Sequence, residues 1–341
     1  MKNIDLLVNS REFIEEIIRS TIDVRFKSKR CFWAGTPFNH FIVLAPAKFL
    51  GIFGENLIDK IYTNMKKRIH PGKGGYDLLA NNKRVEIKTS FIRENNRYRV
   101  CQIRPNADYD KIIFIFVSPE GIQFYQAKKD NILSAIKRGD LKSTHNDGTN
   151  KNTKLYIIDG RLEKIVNSLQ LRNITNLMSQ HYDENDITSI TDKLISNRME
   201  LKRHMIGSKF EDVSFAPSVT ISKFGKDITK NVLKNCAIDW RQKDIKECQP
   251  EKPIYIVRTS FIGIDGNFDI CQIRPNDDFN HMIFVAIEPD DIRIYTCPKK
   301  NVINATNKMN KQHNNGKRKP SLYNMHTTKE NIIKLFNMRE L

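Results

Sequence analysis

Two acidic residues and a lysine lie close together in the stretch 76–88 and have the types that could do chemistry with a metal ion. If Asn81 and Asn82 form a two-residue hairpin turn, Asp77 pairs directly across the hairpin with Glu86, and their Cβ atoms lie about 5 Å apart. Two carboxylates at that distance repel each other unless a positive charge stands between them. A divalent cation with oxygen ligands is the natural candidate, so the hairpin predicts a metal site.

Lys88 is expected on the same face of the second strand as Glu86, because the side chains of a strand alternate between its two faces. Val85 and Ile87 then point to the other face. A lysine beside a metal can hold or help to deprotonate an attacking water, and it can stabilise the charge that develops on a phosphate. The alternative is an ordinary surface hairpin with a cross-strand ion pair.

The pattern is an aspartate, eight residues, a glutamate, one residue and a lysine, on a hairpin that follows a helix. It resembles the PD-(D/E)xK nuclease superfamily and, among its members, the type II restriction endonucleases. The resemblance covers about residues 53–132 and, more weakly, 224–302. Tyr76 stands where the family name has proline, a position that varies widely in such enzymes.

The resemblance implies a role for each site residue. Asp77 and Glu86, with the backbone carbonyl of Ile87, would hold Mg²⁺, and Lys88 would serve the nucleophilic water. Glu55, on the preceding helix, matches the position at which many such nucleases carry an additional acid, so it is a fourth catalytic candidate. A glutamate on a charged helix is equally well explained as a solvated residue.

An internal repeat organises the chain. Thr-Ser-Phe-Ile at residues 89–92 recurs at 259–262, and Cys-Gln-Ile-Arg-Pro-Asn at 101–106 recurs at 271–276, both displaced by 170 residues. The apolar run at 112–117 corresponds to a second apolar run at 282–287, at the same offset. This much identity predicts two copies of one fold.

The second copy lacks the predicted site. Two carboxylates are lost, since Ile256 stands for Glu86 and Lys226 for Glu55, and Arg258 stands for Lys88. Asp239 is the candidate counterpart of Asp77, but an isolated aspartate cannot hold magnesium between carboxylates. One working site per chain is therefore expected.

Residues that are identical in both copies are candidates for stabilising the fold or for contacting DNA. Gln102 with Arg104, and Gln272 with Arg274, are expected at positions i and i+2 on one strand face, from which they could reach phosphates or bases. Equally, they could cap a loop that a proline enters.

A basic run near the C-terminus is a candidate phosphate-contacting loop. It includes Lys317, Arg318 and Lys319. A solvated basic loop is the alternative interpretation.

The coarse order of elements in each copy is helix, hairpin, strand, strand and helix. This order predicts an α/β (α+β) fold with a mixed central β-sheet flanked by helices. The predicted domains are a catalytic nuclease domain with an N-terminal helical segment at 1–160, a helical connector at 161–205, and a degenerate nuclease-like repeat for DNA recognition at 206–341.

Composition favours a polyanionic partner. Lys plus Arg outnumber Asp plus Glu by 57 to 39, which gives a formal net charge of +18. The sequence has no apolar run long enough to predict a membrane span, and its six cysteines include no C-x-x-C pair. We therefore expect reduced thiols and a cytoplasmic location.

These observations together predict a Mg²⁺-dependent, sequence-specific endonuclease of the type II restriction class. Double-stranded DNA is the expected partner, the chain is expected to act as a monomer, and a DNA methyltransferase would be its functional counterpart. The alternatives are a DNA repair or junction nuclease of the same superfamily and a non-catalytic DNA-binding protein.

Overall fold

The structure is a computed structural model, and it describes residues 11–20, 29–67, 69–72, 75–143, 155–235, 254–307, 309–311 and 323–341. The chain forms two compact units. The first unit is Ser28–Asn197. The second unit is Arg198–Leu341 together with the N-terminal segment that contains helix α1, Arg11–Ile18.

The first unit is built on a six-stranded mixed sheet with the order β1-β2-β3-β5-β6-β9. Only the central pair, β3 and β5, is parallel among these described strands. The strands of this sheet are β1 Ile69–Pro71, β2 Leu78–Ala80, β3 Lys83–Phe91, β5 Lys111–Ser118, β6 Gly121–Lys128 and β9 Arg172–Asn173. A small sheet, β4-β8-β7, consists of β4 Tyr98–Ile103, β7 Lys142–Ser143 and β8 Tyr156–Gly160.

Helices cover both faces of the large sheet, which is why the central strand β5 is apolar along nearly its whole length. On one face lies α3, and on the other lie α4 and α5, whose buried residues pack with Phe114 and Phe116. The helices are α2 Asn39–Leu44, α3 Ala47–Asn64, α4 Lys129–Lys137, α5 Leu162–Leu169, α6 Thr175–Ser179 and α7 Glu184–Leu201, which runs past the unit boundary.

The second unit repeats this plan. Its four-stranded sheet has the order β10-β12-β13-β16, and its small sheet the order β11-β15-β14. The strands are β10 Tyr255–Phe261, β11 Phe268–Ile273, β12 His281–Ile287, β13 Ile292–Pro298, β14 Asn310–Lys311, β15 Tyr323–Thr327 and β16 Arg339–Glu340. The helices are α8 Glu211–Phe215, α9 Ser218–Asn235, α10 Lys299–Thr306 and α11 Lys329–Phe336.

The parallel pairs of the two units have the same register. Val85 lies opposite Lys111 in β3 and β5, and Tyr255 lies opposite His281 in β10 and β12, each at the offset of 170. The predicted mixed sheet flanked by helices, present in two copies, is therefore confirmed.

The repeat extends further along the chain than the sequence indicated. The series β8, α5 and β9 recurs as β15, α11 and β16, so the start of the predicted connector at 161–205 completes the first copy. Strand β9 pairs with β6 at only two positions, Tyr125 with Asn173 and Gln126 with Arg172. A two-residue edge strand is too short to show an alternating pattern, so this segment was expected to be helical throughout.

None of the described helices is long and apolar enough to cross a membrane.

Candidate functional site

The predicted hairpin turn is present. Asn81 and Asn82 have φ values of 48° and 62°, the left-handed pair that a type I′ turn requires and that asparagine tolerates. The ladder pairs Leu78 with Val85, and β2 begins at Leu78. This register is the predicted one, but the ladder ends at Leu78 and Asp77 lies outside it. The predicted direct pairing of Asp77 with Glu86 is therefore wrong.

Asp77 lies just before the ladder, where the chain bends. Its N–H donates to the carbonyl of Val85 at 3.0 Å, one residue out of register, and its own carbonyl accepts from Gly72 N–H at 3.0 Å. Its carboxylate Oδ2 accepts from Ile87 N–H at 2.7 Å. The bend thus directs the Asp77 carboxylate to the edge of β3.

The backbone of Ile87 faces the same edge. An extended residue presents its N–H and its C=O on one side of the strand, and the Ile87 N–H already binds Asp77. The Ile87 carbonyl, predicted as a metal ligand, therefore points to the edge where the Asp77 carboxylate lies.

Glu86 is fully buried and is held by two cations. Lys88 Nζ donates to Glu86 Oε1 at 2.6 Å, and Arg104 Nη2 donates to Oε1 and Oε2 at 3.0 and 3.2 Å. The exposed fraction of the side chain is 0% for Glu86, 15% for Lys88 and 45% for Arg104. A buried carboxylate is tolerated because both cations neutralise it. The predicted placement of Glu86 and Lys88 on one strand face is correct.

Arg104 and Gln102 do not share a strand face as expected. A β-bulge shifts the register between Val100 and Ile103, and Gln102 has a φ of 56°. Strand β4 ends at Ile103, so Arg104 follows the strand and turns its guanidinium to Glu86. Alternation alone could not reveal this contact, because the bulge breaks the two-residue period.

A cleft of about 310 Å³ opens between α3 and the hairpin. Its walls combine carboxylates with apolar residues: Glu55, Asn56, Asp59, Ile69, His70, Pro71, Asp77, Leu78 and Ile87. Glu55, Asp77 and Ile87 therefore meet at one cleft, and Glu86 and Lys88 lie within electrostatic range of both Glu55 and Asp77.

Two of the cleft acids, Asp77 and Glu55, have raised pKa values and so hold their protons more tightly than usual. Burial raises the pKa of Asp77, the Ile87 N–H opposes that change, and the charge of Glu86 adds to it. Partial burial raises the pKa of Glu55 as well, followed by repulsion from Asp77, although this side chain reaches solvent. Crowded carboxylates of this kind favour a bound cation.

The donor set fits a hard divalent ion. Asp77 and Glu86 offer carboxylate oxygens and Ile87 a backbone carbonyl, and Mg²⁺ prefers such ligands together with water. Within the described part of the chain, no group of three or more His, Cys, Asp or Glu side chains is placed to hold a metal ion. The predicted set needs only two such side chains.

The corresponding place in the second unit is different. Arg258 donates from Nη1 to the carbonyl of Val257 at 3.1 Å and from Nη2 to that of Gln272 at 2.8 Å. Gln272 has a φ of 59°, so the bulge is repeated, and Arg274 follows the strand as Arg104 does. Asp239 and the run Lys317, Arg318 and Lys319 lie outside the described residues.

No protein-family model matches the chain, and no curated protein matches it. Among solved structures, one match is a bacterial homing endonuclease, I-Ssp6803I, at 16% identity and a TM-score of 0.24. The match covers 34% of this chain and 76% of that chain. A TM-score this low carries no argument, so the function is inferred from the site itself.

Proposed function

We propose that the chain is a DNA endonuclease that hydrolyses phosphodiester bonds with Mg²⁺ at one site in the first unit. The observation that carries the proposal is the buried Glu86 carboxylate, held by Lys88 and Arg104 beside the crowded acids Asp77 and Glu55. An ordinary surface hairpin would not bury a carboxylate at its centre or open onto a cleft. The formal charge of +18 supports a polyanionic substrate.

Each residue has a role in hydrolysis. Asp77, Glu86 and the carbonyl of Ile87 would hold Mg²⁺, which lowers the pKa of a bound water and offsets charge on the phosphate. Lys88 orients the attacking water and can exchange a proton with it, and Glu55 places a further acceptor on the cleft wall. As water adds to phosphorus, the ester P–O bond breaks and the departing oxygen takes up a proton.

The finer assignment is a type II restriction enzyme that acts on double-stranded DNA as a monomer and is paired in the cell with a DNA methyltransferase. The support for it is the duplication with one site per chain, which suits one unit that cuts and one that contributes recognition. Gln102 and Gln272, exposed at the two bulges, remain proposed DNA contacts.

The decisive experiment is to incubate the protein with an unmethylated phage genome and Mg²⁺ and to separate the products on a gel. Discrete bands identify a site-specific enzyme, and a smear identifies a nuclease without site specificity. The same reaction in EDTA and with Glu86→Gln serves as the control. Full cleavage in either control would refute the proposal.

The single site also predicts the order of products. With enzyme in excess over a supercoiled plasmid that carries one target site, the open-circular form should rise before the linear form, because the second unit cannot cut the other strand. Concerted linearisation by a dimer in solution would show that two intact sites act together, and the monomer assignment would then be wrong.

A further inference from the structure

The second unit carries lysines at the positions where the first unit has the cleft acids Glu55 and Asp59. The five corresponding pairs are Glu55 and Lys226, Asp59 and Lys230, Glu86 and Ile256, Lys88 and Arg258, and Arg104 and Arg274. Three carboxylates and two cations in the first unit thus correspond to four cations and an apolar residue in the second. The sign of the charge is inverted.

The helices of the two units are held in the same position against the sheet, so these pairs are equivalent in space within each unit. A Cβ added at Gly54 would overlap the Thr89 hydroxyl, and one added at Gly225 would overlap that of Thr259. The next residue on each helix is Glu55 or Lys226. The buried faces also agree, since Phe53, Leu57 and Ile61 correspond to Phe224, Ile228 and Val232, all 0% exposed.

The first unit shows that this helix position lies within electrostatic range of the strand position. Glu55 interacts with Asp77, with Lys88 and with Glu86. By equivalence, Lys226 stands in the same relation to Arg258 within the second unit. Lys226 and Lys230 are both exposed.

Arg258 is a half-buried cation, and among the described residues no hydrogen bond or ion pair joins it to a carboxylate. Ile256 stands at the position that Glu86 has in the first unit. Arg258 donates to two backbone carbonyls, and within the described part of the chain its buried Nε has no hydrogen-bond partner. Burial and the charge of Arg274 lower the pKa of Arg258, while Asp277 opposes them. Asp227 is the other acid nearby in sequence, next to Lys226.

We propose that Lys226, Lys230, Arg258 and Arg274 form a cationic surface that binds backbone phosphates of duplex DNA without cutting them. A guanidinium and an ammonium both bind phosphate oxygens. A phosphate would give Arg258 an anionic partner, which Ile256 cannot provide. The choice of DNA as the source of the phosphates rests on the proposed function. Without carboxylates this surface does not hold Mg²⁺ in the way proposed for the first unit.

The test measures binding of the full chain to a labelled duplex by fluorescence anisotropy, in EDTA and over a range of KCl concentrations. Each lost phosphate contact lowers the steepness of log K against log salt by about 0.9. The double variant Lys226→Gln/Lys230→Gln should therefore bind more weakly and lower the slope by roughly 1 to 2. Arg274→Gln should lower it further.

A matched double variant on the opposite layer is the control. Lys300 and Lys334 are exposed on α10 and α11, which pack against the other face of the sheet from α9. Lys300→Gln/Lys334→Gln removes the same charge and should leave the slope unchanged. Equal slopes for the two double variants would overturn the proposal, and thermal melts monitored by circular dichroism establish that all variants are folded.

Inorganic phosphate separates a DNA site from a site for free anions. If phosphate stabilises the wild type but not the Lys226→Gln/Lys230→Gln variant while the two bind DNA with one slope, the surface takes free phosphate and the proposal is wrong. Failure of the nuclease proposal is distinguishable, because it appears as absent cleavage in Mg²⁺ while the change in slope persists.

Discussion

The two units of this protein share one framework and place residues of opposite charge on it. In the first unit a buried glutamate lies between Lys88 and Arg104, and in the second unit isoleucine stands in its place while both cations are kept as arginines. The comparison teaches that the cations do not depend on the carboxylate. Their shared presence fits a function that both copies retain, namely contact with phosphate, whereas the acids fit a function of only one copy.

The largest effect is expected when Lys88 and its counterpart Arg258 are each replaced by alanine. Lys88→Ala should lower the single-turnover cleavage rate by on the order of 10²–10³-fold while DNA binding persists, because Lys88 acts on the water and the phosphate. Arg258→Ala should instead lower the affinity for DNA, since Ile256 stands beside Arg258 in place of the carboxylate of Glu86. Quenched-flow cleavage and anisotropy measure the two quantities.

Lys300→Ala serves as the control for cleavage, because this exposed lysine lies on α10, which contributes no residue to the cleft or to the proposed cationic surface. Equal rates for Lys88→Ala and Lys300→Ala would remove Lys88 from the reaction.

The second prediction concerns the free energy of unfolding and compares Arg104 with its counterpart Arg274. Arg104→Gln should lower the free energy of unfolding by about 1–3 kcal/mol, because it leaves the buried Glu86 with Lys88 alone. The value is below that of a fully buried pair because Arg104 is nearly half exposed. Arg274→Gln should cost close to nothing, since Ile256 needs no counter-charge. Urea unfolding measures both, and similar losses would contradict the assigned role of Glu86.

A third prediction tests whether the two frameworks are equally tight. Gly54→Ala and Gly225→Ala should each lower stability by roughly 1–2 kcal/mol, since the new methyl group overlaps a threonine hydroxyl, with some offset from the better helix propensity of alanine. Thr89→Ala should rescue Gly54→Ala, and Thr259→Ala should rescue Gly225→Ala. A neutral effect at either glycine would mean that this helix can shift on its sheet.

The smallest effect is a pH dependence confined to the second unit. His326 faces Asp269 from Nδ1 at 2.8 Å and Asp265 from Nε2 at 2.7 Å, and these contacts raise its pKa. Both bonds require the protonated ring, so their stabilisation is complete below the unfolded pKa of histidine and is lost as the pH rises through the folded value. The effect is small because the group is exposed.

NMR titration of His326 should give a midpoint above the ordinary value, and His326→Gln should remove the dependence. The first unit provides the contrast, since among the described residues Asp159 there binds Arg93 and Arg97 and no histidine. A normal midpoint for His326 would show that the two aspartates do not hold the ring in solution.

The hairpin, the mixed sheet and the duplication could be predicted from the sequence, because an Asn-Asn turn, apolar strands and repeated short motifs are local signals. The sequence missed the position of Asp77, because the bend at Asp77 that takes this residue out of the ladder does not alter the alternating pattern of the sequence. It also missed the contact of Arg104 with Glu86, which depends on the left-handed conformation of Gln102. Strand β9 was missed because two residues cannot reveal a period.

The identical register of the two parallel pairs has a consequence for folding kinetics. Strand β3 could pair with β12 as readily as with β5, because the same apolar positions would meet. The native choice closes the short chain segment from Val85 to Lys111, whereas the exchanged one closes the far longer segment from Val85 to His281. The difference in loop-closure entropy is worth roughly 2 kcal/mol, enough to favour the neighbour strongly but not to forbid the exchange. Such exchanged pairings are the characteristic kinetic traps of duplicated chains, and synthesis from the N-terminus avoids them here by completing the first sheet before β12 exists.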